Sequence, residues 1–218
     1  MREYLLNYIR DPDTWLSVIA IAVSVIALWQ TQNQIKISNK QHLFDRRLSA
    51  YLTIKDLLGS YLTQKENGNL SDNDEFVFNI GMTWYYLMGN LYLESVSNAV
   101  EYPIDSPEGR AFSIKMVELI KKAEEIKLLF PAKVSEPITD FISLYYHVVR
   151  SIYQYHLAWN FTDKDPVLKS MTIKEKAKQI GETAYRRKIF DSFKELESSY
   201  QLILEQDSEE QMKNCIRL

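Results

Sequence analysis

Residues 15–29, WLSVIAIAVSVIALW, constrain the fold of this 218-residue chain more than any other stretch. Between its two terminal tryptophans the stretch has no charge, no Gly and no Pro, and its polar side chains are Ser17 and Ser24. A membrane-spanning helix needs roughly 17 to 25 apolar residues. The apolar run reaches this length when Thr14 and the uncharged residues 30–35 are included. We therefore predict a transmembrane helix, with a Trp at each interface.

Two alternatives to a membrane span are open for this stretch. A cleaved secretory signal needs a basic N-terminal flank and a cleavage site with small residues. The flank here mixes acidic and basic residues, and the following sequence LWQTQNQIK has no A-x-A-like site. A buried core helix usually keeps a polar stripe on its solvent side. The sequence favours a true span over both alternatives.

Positive charge is concentrated on the C-terminal side of the stretch. Four basic residues follow it and two precede it: Lys36, Lys40, Arg46 and Arg47 against Arg2 and Arg10. The positive-inside rule then places the C-terminal side in the cytoplasm. We expect a single-pass protein of a bacterial inner membrane, with its N-terminus outside and its main domain cytoplasmic.

Small and polar residues form a stripe along the predicted span. They recur at steps of three and four, which places them on one helix face: Ser17, Ala20, Ser24, Ala27, Thr31 and Gln34. Small residues let helices approach closely in lipid, and hydroxyls can bond across the contact. The stripe predicts a homo-oligomer, in which the same face could line a narrow pore. Alternatively, Ala and Ser are simply common in spans.

The remainder of the chain indicates an all-α fold. It has only six Gly and six Pro, and a helical period continues from the span until Gly59 without a breaking residue. We expect one long helix that continues from the membrane into a cytoplasmic bundle of about five helices. The predicted regions are a tail and span (1–35), a helical bundle (36–206) and a flexible C-terminal tail (207–218).

Composition excludes several functional classes. The net charge of −3 is unlike that of a nucleic-acid-binding chain. The single cysteine, Cys215, excludes an internal disulfide framework and a cysteine-based zinc site. The three histidines have no metal-ligand spacing, and no phosphate-binding or nucleophile motif is present. We therefore predict no cofactor and no metal site.

The helices of the bundle have recognisable limits. We expect helix within 76–99, a helix capped by Ser106 and ended by Pro131, another starting at Ser135 or Thr139, and a last one from Thr172 to Glu205 with a weak point at Gly181.

One pair of residues in the bundle could carry chemistry. Arg150 and His156 form an R-x5-H motif, RSIYQYH. An imidazole can transfer protons near neutral pH, and a guanidinium can hold a phosphate. On a straight helix, however, the two side chains lie about 120° apart. Either the helix is interrupted between them or the pair is not a working site, in which case His156 is a core residue.

The N-terminal span, the helical domain and the single R-x5-H motif together resemble the small membrane accessory proteins of type VI-B CRISPR-Cas systems. The resemblance rests on residues 15–29 and on Arg150 and His156, and it implies a divergent HEPN-like domain. It also implies an antiviral effector that oligomerises, permeabilises or depolarises the inner membrane, and enhances RNA-targeting immunity. The implied partners are further copies of the chain, the lipid bilayer, and RNA or an RNA-guided effector protein.

Two other functions are kept as alternatives. In HEPN ribonucleases, Arg and His from two protomers meet at a dimer interface and cleave RNA without metal. A membrane-anchored ribonuclease would use Arg150 and His156 in this way, although we favour a protein that is not an enzyme. The second alternative is a single-pass scaffold or sensor. Its basic residues 174–188 would meet an acidic partner, RNA or the anionic inner leaflet, unless they form an ordinary solvated face.

Overall fold

The computed structural model describes residues 12–68, 70 and 76–216 of the chain. It is 88% helical, and the described residues contain no strand, which confirms the all-α prediction. Residues 1–11, which include Arg2 and Arg10, residues 69 and 71–75, and the last two residues lie outside this description.

The first helix is the longest. Helix α1 spans Pro12–Asn67, which confirms that one helix continues from the apolar stretch past Gly59. Internal contacts divide the chain into two compact units, of which the first ends at Asp45 and the second is Arg46–Arg217. The boundary therefore falls within α1, ten residues beyond the limit of 35 suggested by the sequence.

The second unit contains the remaining helices. They are α2 (Phe76–Met88), a 3-10 helix (Glu94–Glu101), α3 (Pro107–Leu129), α4 (Ala132–Lys164), α5 (Pro166–Lys169), α6 (Ile173–Gln179), α7 (Glu182–Glu205) and α8 (Ser208–Asn214).

Helix α4 forms the centre of this unit. It packs most extensively against α7 and α3. Its side chains at Phe141, Tyr145, Val149 and Ile152 are fully buried. Removing this much apolar surface from water is the main stabilising contribution to the domain. The predicted apolar face of α3 is also buried throughout, at Phe112, Met116, Leu119, Ala123 and Ile126, and so is Phe130 directly after the helix end.

The helix ends follow local side-chain chemistry. The Ser106 hydroxyl accepts a hydrogen bond from the Gly109 amide at 3.0 Å, so the predicted cap of α3 is confirmed. Helix α2, in contrast, is shorter than predicted. The Asn90 side chain donates to the Leu87 carbonyl at 2.9 Å and accepts from the Leu93 amide at 3.0 Å, which replaces the next helical turn.

The helix predicted from Thr172 to Glu205 is two helices. Gly181 adopts a left-handed conformation with φ of 67°, which ends the α-helical path between α6 and α7. Glycine has no Cβ and reaches this region without the steric penalty of other residues. The weak point suggested by the sequence is therefore a break. Thr172 forms a reciprocal capping box with Glu175 at the start of α6.

The prediction of a flexible C-terminal tail is corrected over residues 208–216. Residues Ser208–Asn214 form helix α8, which contacts α4 and α7. Met212 and Ser208 are buried, and so is Ile216 beyond the helix end. Burial of these side chains holds a segment whose polar composition suggested a frayed end.

Candidate functional site

The apolar part of α1 is exposed along its whole length. Its large side chains between Trp15 and Trp29 retain 52% to 65% of their accessible surface. Among the described residues, one helix is long and apolar enough to cross a bilayer, with a mean hydropathy of 1.6 in its 18-residue window and none of that window buried. The stretch is therefore not a core helix of this chain, and it is consistent with a single-pass membrane protein.

The predicted small and polar stripe is exposed as well, at all six of its positions. Its hydroxyls are bonded within the helix: Ser17 donates to the Asp13 carbonyl at 2.9 Å, Ser24 to Ala20 at 2.7 Å, and Thr31 to Ala27 at 2.8 Å. Each hydroxyl donor is thus satisfied, and these three side chains can enter lipid without a polar partner. What the stripe offers a neighbouring helix is a narrow profile that permits close approach.

Arg150 lies on the exposed side of α4. Its Nη1 donates to the Tyr146 hydroxyl at 3.0 Å, and the guanidinium sits 5.9 Å from the centre of the same ring. Tyr146 is one helical turn away, so this contact is local. The side chain is open to solvent and could reach a phosphate.

His156 lies in a different environment, among aromatic rings. Its imidazole packs edge-on against Trp84 and Tyr155, at centroid distances of 6.2 and 5.9 Å. Burial lowers its pKa to about 4, so the ring is neutral at physiological pH. Its Nε2 is buried and has no hydrogen-bond partner among the described residues. The same holds for the Tyr153 hydroxyl, one turn earlier in the helix.

The structure does not join Arg150 and His156 into one site within a single chain. Helix α4 is continuous from Ala132 to Lys164, so no interruption brings the two side chains onto one face. One side chain is solvated and the other is enclosed by rings, and their described contacts have no residue in common. Within one chain, the second alternative of the sequence analysis is therefore the better description: His156 is a packing residue.

Arg47 has a structural role that no local sequence pattern indicates. Its Nε donates to the Leu129 carbonyl at 3.0 Å, its Nη1 donates to the Cys215 carbonyl at 2.8 Å, and the guanidinium lies over the Phe130 ring. It thereby satisfies carbonyls near the ends of α3 and α8, which lack intrahelical partners. The neighbouring Arg46 pairs with Glu125 at 3.0 Å. Arg46 and Arg47, two of the four basic residues used to predict the membrane orientation, therefore also make contacts within the helical domain.

A second polar cluster lies between α4 and α7. The buried Glu182 carboxylate accepts from the Tyr155 hydroxyl at 2.6 Å and from Arg186 at 3.0 Å. The Arg186 guanidinium also lies 4.4 Å from the centre of the Phe76 ring. Burial and the Glu182 carboxylate raise the pKa of Tyr155. The hydroxyl therefore stays protonated and donates to the carboxylate, so the cluster is structural.

No candidate metal centre is present in the part of the chain that the structure describes, since no three His, Cys, Asp or Glu side chains lie close enough together. Comparison with known proteins adds no family assignment. The chain matches no protein-family model, no curated protein and no solved structure.

Proposed function

We propose that this chain is a homo-oligomeric membrane effector that permeabilises or depolarises a bacterial inner membrane. One observation carries the proposal: a long exposed apolar helix with a small-residue stripe along one face. An exposed apolar surface of this length is costly in water and favourable in lipid. In lipid, close approach of helices along such a stripe is the usual basis of association.

The defence context of the proposal comes from the resemblance to type VI-B accessory proteins. In that context the second unit is a divergent HEPN-like domain on the cytoplasmic side, and the effector acts together with an RNA-guided, RNA-targeting protein. The ribonuclease alternative is not favoured, because His156 is enclosed by aromatic rings and has a lowered pKa.

Larger side chains in the stripe test the proposal. The variant Ser24→Leu/Ala27→Leu fills two adjacent positions and blocks close approach. The matched control is Val18→Leu/Val25→Leu, which adds volume on the bulkier face of the same helix. Particle mass in detergent reports the assembly state. A potential-sensitive dye reports depolarisation in bacteria that also express an active RNA-targeting effector.

We expect the wild-type chain and the control to be oligomeric and to depolarise the membrane, and the stripe variant to be monomeric and inactive. A monomeric wild-type chain would contradict the assembly. An oligomer that leaves the membrane potential unchanged would contradict permeabilisation and would favour a scaffold or sensor.

A further inference from the structure

The segment that joins α4 to α6 carries an unusual surface. Three apolar side chains project into solvent there: Phe161, Val167 and Ile173 are 63%, 67% and 64% exposed. Exposed lysines alternate with them along the chain, at Lys164, Lys169 and Lys178. We call these six residues the lysine face. Isolated exposed apolar residues are common on proteins, but their interleaving with lysines over one short segment is the pattern of a membrane-surface contact.

The charge of the segment is available to a ligand. Residues 161–179 contain five lysines and three acids, and no arginine. Each acid has a local role: Asp163 pairs with Lys176 at 2.7 Å, Asp165 accepts from the Val167 amide at 2.8 Å, and Glu175 accepts from the Thr172 amide at 2.8 Å. The lysines of the lysine face, in contrast, form no ion pair with a described residue. The segment therefore presents positive charge outward.

Local structure keeps the apolar residues in place. Asp165 caps α5 through the amides of Val167 and Leu168, which fixes the turn that carries Val167. The capping box of Thr172 and Glu175 fixes the first residue of α6, Ile173. Two caps within eight residues therefore hold two apolar side chains outward, although folding alone would gain by burying them.

We propose that the lysine face binds the surface of an anionic phospholipid bilayer. Lysine ammonium groups would meet lipid phosphates, while Phe161, Val167 and Ile173 would enter the boundary between headgroups and acyl chains. RNA is the other polyanion that lysines could meet. Proteins usually bind RNA through arginine and through aromatic rings that stack on the bases. This segment has no arginine, and two of its three exposed large apolar residues, Val167 and Ile173, are aliphatic. This second lipid contact is distinct from the apolar span and does not depend on oligomer formation.

The test uses the full chain held in nanodiscs of neutral phosphatidylcholine. These are mixed with separate vesicles, either neutral or containing phosphatidylglycerol, and the partition coefficient is measured by flotation. The variant Lys169→Gln/Lys178→Gln removes two charges of the lysine face. Its matched control, Lys121→Gln/Lys133→Gln, removes two exposed lysines that have no ion pair with a described residue. Val167→Ser/Ile173→Ser tests the apolar part, with the exposed Leu128→Ser as control.

We expect partition to the anionic vesicles alone, weakened by salt. Loss of two lysines of the lysine face should lower the partition coefficient roughly 25-fold, at about fivefold for each lysine. The apolar variant should also bind less, and both controls should bind as the wild type does.

An equal decrease of the partition coefficient in the lysine control would overturn the proposal, because binding would then depend only on the net charge of the chain. Absence of binding to anionic vesicles would overturn it as well. RNA binding that needs the lysines but not Val167 and Ile173 would replace it with a nucleic-acid surface.

Discussion

His156 illustrates how a residue type can suggest chemistry that its surroundings do not support. The R-x5-H motif that contains it is typical of a nuclease site. Its ring nevertheless packs between Trp84 and Tyr155, and its Nε2 is buried. A buried nitrogen without a hydrogen-bond partner is destabilising. An apolar ring of similar shape should therefore replace the imidazole without loss of stability at neutral pH.

This environment makes the stability of the domain depend on pH. Burial lowers the pKa of folded His156 from 6.5 to about 4. As the pH falls between these values, the unfolded chain binds a proton that the folded chain does not. The contribution of His156 is therefore complete above pH 6.5 and is lost progressively towards pH 4. When the pH is lowered from about 7 to about 5, we expect the free energy of unfolding to decrease less in the His156→Phe variant than in the wild type.

Denaturant unfolding of the detergent-solubilised chain, followed by circular dichroism at both pH values, measures this difference. His147→Phe is the control, because His147 is exposed on the same helix. If both variants reduced the pH dependence equally, the explanation by burial of His156 would be wrong.

Arg47 gives a second prediction for a single residue. Its bonds to the carbonyls of Leu129 and Cys215 are charge-assisted, and the residue is partly buried. Arg47→Gln should lower the free energy of unfolding by about 2 to 3 kcal/mol. Arg46→Gln removes the same charge from an exposed ion pair with Glu125 and should cost less than about 1 kcal/mol. Similar losses in the two variants, measured by denaturant unfolding, would contradict the structural role of Arg47.

At the scale of helices, two glycines in different conformations give opposite predictions. A Cβ at Gly181 or at Gly59 would meet no atom within 4 Å, so neither substitution is blocked by contact. Gly181 has φ of 67°, and alanine there should destabilise the domain by about 1 to 2 kcal/mol. Gly59 lies inside α1, and alanine at this position should stabilise the helix by about 0.5 to 1 kcal/mol.

Thermal unfolding of the two alanine variants gives the sign of each effect directly. Stabilisation by Gly181→Ala would show that α6 and α7 are not separated by a left-handed residue in solution.

The sequence predicts those helices whose signals are local. The cap at Ser106 and the apolar positions of α3 are set by residues within one or two turns of each other, and both were predicted correctly. The short helix α8 was not predicted, since Met212 is buried in the folded domain and one of the helices that α8 contacts, α4, is distant in sequence. The carbonyl partners of Arg47 are 82 and 168 residues away, so no local pattern could identify its role. For the same reason, the aromatic surroundings of His156 required the structure.

At the scale of the whole molecule, the direction of membrane insertion is a testable prediction. Lys36 and Lys40 are exposed on the C-terminal side of the apolar stretch. By the positive-inside rule, that side should be cytoplasmic. In a Cys215→Ser background, a cysteine replacing Asn7 should react with a membrane-impermeant maleimide in intact bacteria. A cysteine replacing Leu128, which is 84% exposed, should react only after the cells are opened. The reverse pattern would show the opposite orientation.

The bond between Arg47 and the Cys215 carbonyl also has a consequence for biosynthesis. Its two residues are separated by 168 positions, and translation needs roughly ten to thirty seconds to cover that distance. The apolar stretch therefore leaves the ribosome long before Cys215 does. On the proposed membrane function, insertion of the helix into a bilayer precedes completion of the domain. In the proposed oligomer, newly made chains can then meet in the membrane before any of them has formed the contact between Arg47 and Cys215.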